Sequence, residues 1–378
     1  MDPTTFTAPA AGRLVTTAGG AAAFVPSPLP PALDLSWALL NTLTRAQGAV
    51  GHLRGIGRVL PSPHLLIQPF ARREAVLSSR IEGTQASLGE LLLFEVGTSA
   101  PERSDVREVA NYVAALDYGF AHINELPLSL RLIRELHGKL MEGVRGDSSA
   151  PGEFRAVQNW IGKPGTKIAE ATYIPPPVTE MHAALDLFEK FLHAESHLPA
   201  LIRLALIHYQ FEAIHPFLDG NGRVGRLLIT LLLQTEKLLE QPLLYLSAFF
   251  EKHRDEYYDR LLAVSSRGEW GAWVDFFLRA VHDQANDAVE RASALLALRD
   301  EYRGRMTVAR QSVLLLAMID RLFQSPALTI AAAARDLGVT YASAKQNVEK
   351  LVAAGILEPL SDTRNKVYMA REILALIE

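Results

Sequence analysis

Between Asp34 and about Asp300, apolar residues recur three and four positions apart, the spacing of one buried helix face. Leu35–Gly51, Asp105–Leu126, Ser129–Val144, Thr179–Ala194, Pro199–Ala213, Gly222–Leu238, Lys252–Arg267 and Gly271–Leu298 read as helices, with Gly and Pro at the joins. One interval breaks this rhythm. Glu153–Gly162 and Ala171–Pro177 bring aromatic and β-branched residues to either side of Lys163-Pro-Gly-Thr-Lys167, which predicts a β-hairpin. Residues 1–35 are rich in Ala, Gly, Pro and Thr, and Phe24–Pro31 reads as an extended, polyproline-like strap over the surface. An all-α fold with one hairpin is expected, in three parts: 1–104, 105–300 and 301–378.

Composition narrows the class. At 378 residues, 49% apolar and 21% charged, the chain is long enough for two or three globular domains. A net charge of −4 gives no global drive toward nucleic acid. The absence of cysteine rules out disulfides and thiolate metal sites and fits a reducing cytoplasm. Met1-Asp-Pro-Thr-Thr has no basic n-region, and no apolar run reaches the ~18 residues of a membrane span, so a cytoplasmic protein without membrane contact is expected.

The chemistry is concentrated in His215-Pro-Phe-Leu-Asp-Gly-Asn-Gly-Arg-Val-Gly-Arg226. Gly220 and Gly222 let the backbone turn tightly and approach a ligand. Their N–H groups would open the next helix, where free donors and the helix dipole favour an anion. Arg223 and Arg226, three apart, carry forks that suit phosphate oxygens. Asp219 is a hard ligand suited to Mg²⁺ held with phosphates, and His215 is the natural base near neutral pH. Gly220–Gly225 also satisfies G-x-G-x-x-G, but the dinucleotide reading needs a preceding strand, and Leu201–Ala213 is helical in pattern. No G-x-x-x-x-G-K-[S/T] is present.

This run resembles the Fic family core motif, His-x-Phe-x-Asp/Glu-Gly-Asn-Gly-Arg-x-x-Arg, at every fixed position. The resemblance implies a helical Fic core with a β-hairpin flap and Mg²⁺-dependent transfer of AMP from ATP to a Ser, Thr or Tyr hydroxyl of a protein. It implies His215 as the base, Asp219 as the metal ligand, and Gly220, Asn221 and Gly222 as the anion hole. Arg223 and Arg226 would bind the β/γ-phosphates, and Phe217 would be a buried anchor of the loop. It places the flap at 153–177, where a target segment would pair as a strand. Ser78-Ser-Arg-Ile-Glu82-Gly83 resembles the family's inhibitory motif. Glu82 would then pair with Arg226 and deny it to the γ-phosphate, with Ser78 bracing the glutamate and Gly83 ending the helix. An ordinary helix end capped by Gly83 is the alternative for that stretch. Removal of AMP at the same site and a nucleotide-sensing transcriptional regulator are the alternatives for the whole. Self-modification and a homodimer are compatible with either.

After about Arg305 the pattern changes. Val308–Phe323 and Leu328–Gly338 read as helices, and Thr340–Gly355 as a third with Thr340 as its N-cap. Two strands, Ile356–Leu360 and Lys366–Met369, flank the polar wing Ser361–Asn365. The order resembles a winged helix-turn-helix. Eight Lys/Arg face seven Asp/Glu between residues 306 and 378, short of a strongly basic footprint. Tyr341, Ser343, Lys345, Gln346 and Lys350, with Arg364 and Lys366, are the candidates to meet a DNA groove; dimerisation or partner binding is the other reading. His193 and His197 read as a solvated helix end rather than a metal pair, His208 as a packed helix residue, and Trp270, Trp273, Phe276 and Phe277 as core.

Overall fold

The computed structural model describes residues 1–378 except 60–63, 98–103, 124, 126, 145–149, 164, 307–312 and 361–365. The chain opens with an antiparallel pair, β1 (Gly12–Thr16) and β2 (Ala22–Pro26). Helices follow: α1 (Trp37–Val59), α2 (His64–Ile81), α3 (Leu88–Glu95), α4 (Ser104–His122), α5 (Leu130–Leu140), α6 (Val178–His193), α7 (Ala200–Ile214), α8 (Asn221–Thr235), α9 (Ser247–Lys252), α10 (Arg254–Arg267) and α11 (Trp270–Met306). The C-terminal part is α12 (Val313–Gln324), β3 (Ala327–Thr329), α13 (Ile330–Asp336), α14 (Tyr341–Ala353), β4 (Glu358–Pro359), β5 (Val367–Met369) and α15 (Arg371–Ile377). Its strands form an antiparallel sheet in the order β3-β5-β4. The protein is mostly helical, as expected. Among the described residues, no helix is long and apolar enough to cross a membrane.

One hydrophobic core runs from Leu39 in α1 to Ile377 in α15. Helix α7 is its axis: apart from Ala200 and Glu212 all of it is buried, the pattern of a helix packed on every side. Trp273, Phe276 and Phe277 of α11 are buried in this core, and the indole of Trp273 donates to Ala205 O (2.9 Å). Helix α11 runs past the expected boundary at residue 300 and packs on α1, α12 and α15. Ser and Thr start several helices as their sequences dictate. Ser87 and Glu90 form a reciprocal capping box on α3, and Ser129 and Thr340 accept from backbone N–H groups of α5 and α14. His215-Pro216 stops α7 at Ile214, and proline's demands on the residue before it account for the break.

Four expectations need correction. First, the predicted hairpin at 153–177 shrinks to a single antiparallel bridge, Ile161 with Tyr173. Residues Ile168–Glu170 form a 3₁₀ turn between them. Prolines 175–177 lack N–H donors, so the ladder has nothing to continue with. Pro164 of its turn lies outside the described residues. Second, the N-terminal strap is partly a true hairpin: Leu14 pairs with Phe24 and Val15 with Ala23, and Phe24 is buried, not splayed on the surface. Third, Thr329 caps α13 by accepting from Ala332 N (3.1 Å), so Ala327-Leu328 precedes that helix as strand β3. Fourth, Lys252–Arg267 is interrupted at His253, between α9 and α10. The wing Ser361–Asn365 and the start of the helix expected at Val308 lie outside the described residues.

The N-terminal hairpin backs the segment that approaches the motif. Phe24 N donates to Ile174 O (2.9 Å), its ring lies 6.2 Å from that of Tyr173, and the Tyr173 hydroxyl donates to Ala213 O (2.8 Å) at the end of α7. Phe24→Ala should therefore speed amide hydrogen exchange at Ile161 and Tyr173 while leaving α7 and α8 protected. Unchanged exchange at those two amides would mean the hairpin gives no support.

Candidate active site

The loop between α7 and α8 carries the motif, and its geometry follows from a few side chains turned onto its backbone. His215 sits at the C-cap of α7 in the left-handed region (φ 50°), and Gly220, at φ 76°, takes the N-cap of α8. Asn221 clamps the loop: its Oδ1 accepts from Phe217 N and its Nδ2 donates to Phe217 O, both at 2.8 Å. Both polar ends of that buried side chain are thus engaged with the loop itself. Phe217 is fully buried and stacks on His137 at 3.8 Å with an interplanar angle of 6°. Gly152 N donates to His137 Nδ1 (2.9 Å), which leaves Nε2–H to donate to Asp219 O (3.1 Å). Burial holds the His137 imidazole down at about 4, so it is neutral and this pattern is stable. Arg155 completes the frame. Its backbone N donates to Pro216 O (2.9 Å), and its guanidinium donates to His215 O (3.0 Å), Val157 O (3.2 Å) and Pro176 O (2.5 Å).

His215 is half-buried, and Nδ1 donates to Glu212 O (3.3 Å), which directs Nε2 away from the helix. Burial, reinforced by the Arg155 charge, lowers its pKa to about 4, so the ring is neutral at physiological pH. Asp219 is exposed; its Oδ1 accepts from Gly220 N (2.6 Å) and lies 3.6 Å from Arg223 Nη2. Arg223, nearly buried, also reaches Glu108 Oε2 on α4 (3.2 Å). The free N–H groups of α8 begin here, and no side chain caps them.

Arg226 is buried to 2% exposure and held entirely from α2 and the turn after it. Its Nε donates to Ser78 Oγ (2.8 Å), and Nη2 donates to Ser78 O (2.9 Å) and Glu82 Oε1 (2.6 Å). Ser78 therefore braces the arginine, not the glutamate as expected. Glu82 lies one residue beyond α2, where Gly83 adopts φ 96° and Thr84 N returns to Ser79 O (3.2 Å). The capped helix end and the ion pair are thus one structure. Desolvation pushes the Glu82 carboxyl up, but Arg226, then Arg223 and His215, pull it further down, and its pKa falls below the ordinary value. That one carboxylate feels three cationic or ionisable partners of the motif. It also fills the space over Gly222, where an added Cβ would collide with Glu82 Oε1 and Arg226 Nη1.

Several contributors lay beyond sequence reasoning. Glu108, His137 and Arg155 carry no motif of their own. Glu212, beside Gly225 and Arg226, is pushed up to about 8 by burial, so it is largely protonated at neutral pH. Tyr258 on α10 is exposed and lies close enough to feel both Glu82 and Arg226. His208 packs inside, contacting Gly225 O and the Tyr257 hydroxyl, while His193, the last residue of α6, and His197, in the segment after it, are exposed. No group of three or more metal-ligating side chains occurs among the described residues. Asp219, an exposed carboxylate beside the uncapped start of α8, is the kind of hard oxygen donor that suits Mg²⁺ held together with phosphates.

Residues 40–121 match the family model described as Fic/DOC family N-terminal, and residues 127–233 the one described as Fic/DOC family, together half of the chain. The protein adenylyltransferase Fic of Culex quinquefasciatus is 31% identical over 205 residues, covering 52% of this chain and 37% of that protein. That of Drosophila erecta is 30% identical over 173 residues, covering 44% and 31%. The chain spans about a third of the length of the curated relatives it matches. A crystal structure of a Fic family protein from Desulfovibrio desulfuricans G20 matches over 90% of this chain and 98% of that one, with a TM-score of 0.59 and 20% identity. A Fic-1 fragment from C. elegans matches over 68% and 73%, with a TM-score of 0.51 and 20% identity. These two likenesses concern the fold.

The Glu82–Arg226 pair sets a pH dependence of stability. A carboxyl lowered by folding contributes stability that is present above its unfolded value, near 4.5, and is lost as pH falls through the lower folded value. With the Glu82 side chain a third exposed, the contribution is about 1 kcal/mol after screening. Chemical denaturation should show wild type more stable than Glu82→Gln by a constant margin from pH 8 to pH 5, shrinking below about 4.5. A margin that grows in acid would contradict the pairing.

Proposed function

Because the chain belongs to the Fic/DOC family through both its N-terminal and its central regions, we propose that it transfers AMP from ATP to a protein hydroxyl, and that Glu82 restrains the reaction. One observation carries the reading: a carboxylate already lies among Arg226, Arg223, His215 and the open N-terminus of α8, a place built for an anion. On this reading the phosphates of ATP replace that carboxylate. Arg223 and Arg226 hold the β/γ-phosphates, and the amides of the Gly220–Gly222 turn face the charge that develops. Asn221 serves by fixing the turn rather than by touching the nucleotide. Neutral His215 takes the proton of the target hydroxyl as its oxygen bonds to the α-phosphorus and pyrophosphate departs. Asp219 would hold Mg²⁺, whose charge offsets that of the phosphates. Exposed Val157, Trp160 and Ile161 give the segment before α6 an apolar edge for the target.

Glu82 restrains transfer because a guanidinium held by a carboxylate cannot also grip a γ-phosphate. Ser78 keeps Arg226 in place whichever anion it meets. A second element supports a regulatory side. The order α12, β3, α13, α14, β4, β5 and the sheet β3-β5-β4 support reading residues 301–378 as a winged helix. Tyr341, Lys345, Gln346 and Lys350 lie exposed on α14, available to DNA or a partner; Arg364 of the expected surface lies outside the described residues. Lys345 is 3.8 Å from Glu349, which tempers the positive charge of that face.

Incubation with α-labelled ATP and lysate tests the whole reading. Glu82→Gly should label itself or a target far more strongly than wild type. Arg226→Ala should not, because it removes the clamp with the restraint, and the double variant should behave like Arg226→Ala. Equal labelling by wild type and Glu82→Gly at every ATP and Mg²⁺ concentration would leave Ser78–Gly83 as a plain helix end.

In the Glu82→Gly background, His215→Ala should cost about 10²–10⁴-fold in transfer. The acid limb of kcat/KM in Glu82→Gly should lie well below the ordinary histidine value of 6.5, toward about 4, since a protonated ring cannot accept the proton. An acid limb near 6.5 or above would assign the base elsewhere.

A further inference from the structure

Glu108 stands on α4, outside the motif and outside the Ser78–Gly83 turn, yet it touches an arginine of the first and the residue that follows the second. Its Oε2 accepts from Arg223 Nη1 (3.2 Å) and from the Thr84 hydroxyl (3.2 Å). Thr84 follows Glu82-Gly83 directly, and the next residue, Gln85, donates its backbone N to Asp105 Oδ2 (3.0 Å) on the same helix. The Glu108 side chain is 12% exposed, and burial raises its pKa against the pull of Arg223. A carboxylate is costly to bury unless it is paired, and Glu108 pairs with a motif arginine and with Thr84.

We propose that Glu108 is a positioning residue that holds Arg223 toward the phosphates and, through Thr84, fixes the Glu82–Gly83 turn over Arg226. The inference rests on the AMP-transfer reading above and adds a residue to it. Arg223 has two anions near its guanidinium, Glu108 at 3.2 Å and Asp219 at 3.6 Å. If Asp219 turns its oxygens to a divalent cation, Glu108 is the anion that keeps Arg223 from following. Without Glu108, the arginine settles on Asp219, competing with the cation and leaving the β/γ-phosphates. The same oxygen tethers the restraint, so the phosphate clamp and its inhibitor share one anchoring point.

Calorimetry on Glu82→Gly and on Glu82→Gly/Glu108→Gln, with ATP plus Mg²⁺ and separately with AMP, tests the first half. ATP affinity should fall about tenfold while AMP, which lacks β/γ-phosphates, stays within about twofold. Half-saturation for Mg²⁺ should rise in parallel. Equal losses for ATP and AMP, or none, would overturn the positioning role. Thr84→Val tests the second half. In the otherwise wild-type protein it should raise basal α-label incorporation several-fold, and in Glu82→Gly it should change nothing. Unchanged labelling in the wild-type background would remove Thr84 from the restraint. Should Glu82→Gly bind ATP without transferring AMP, the transfer reading fails while the ATP-against-AMP comparison still decides the role of Glu108.

Discussion

A guanidinium buried at the centre of a helical protein has to be satisfied in full, because an unpaired charge there would cost several kcal/mol. Arg226 is that group. It projects from α8 into a core whose other members are almost all apolar, and what satisfies it is a second helix: the hydroxyl and carbonyl of Ser78 and the carboxylate of Glu82. The docking of α2 on α8 is therefore specified by hydrogen-bond geometry as well as by packing. Glu74, two turns before Glu82, is buried too; it accepts from Ser247 Oγ (2.6 Å) and the Tyr112 hydroxyl (3.2 Å), so the same helix face is pinned to α9 and α4. The position of Arg226 is thus set by one face of α2 and the turn that follows it.

The motif loop obeys a related constraint. It leaves the first N–H groups of α8 without a side-chain cap and still has to be held in one shape. Asn221, Arg155 and His137 do this by engaging the loop's carbonyls and its one other demanding donor, Phe217 N, and by stacking against the Phe217 ring. The amides at the start of α8 are left facing outward. That division of labour explains why polar side chains cluster behind the loop, away from the space where Glu82 lies.

What could be read from the sequence was local. The stop at His215-Pro216, the turn at Gly220–Gly222, the caps at Ser129 and Thr340 and the buried Phe217 all follow from residues a few positions apart. So did the Glu82–Arg226 pairing, though only through family resemblance, since 144 residues separate the two. Glu108 and Arg223 are 115 residues apart and His137 and Asp219 are 82 apart, and neither contact leaves a periodic trace. At 153–177 aromatic and β-branched residues suggest strands, but prolines 175–177 and the carbonyls that Arg155 and Gln158 engage reduce the hairpin to one bridge. The real hairpin, at 12–26, hid in a stretch whose Ala, Gly and Pro content suggested none.

That hairpin has a consequence for the order of assembly during synthesis. Its surroundings are made late: Thr7 N bonds Ser266 O (2.8 Å), Phe24 N bonds Ile174 O, and Ser27 O accepts from Gln210 Nε2 (3.1 Å). At roughly 5–20 residues per second, about 13–52 s pass between the emergence of Thr7 and that of Ser266. A segment made so far ahead of its partners is thus among the last to find its place. Its apolar Phe6, Leu14 and Phe24 wait unburied through that interval, a window in which a nascent-chain chaperone has something to hold.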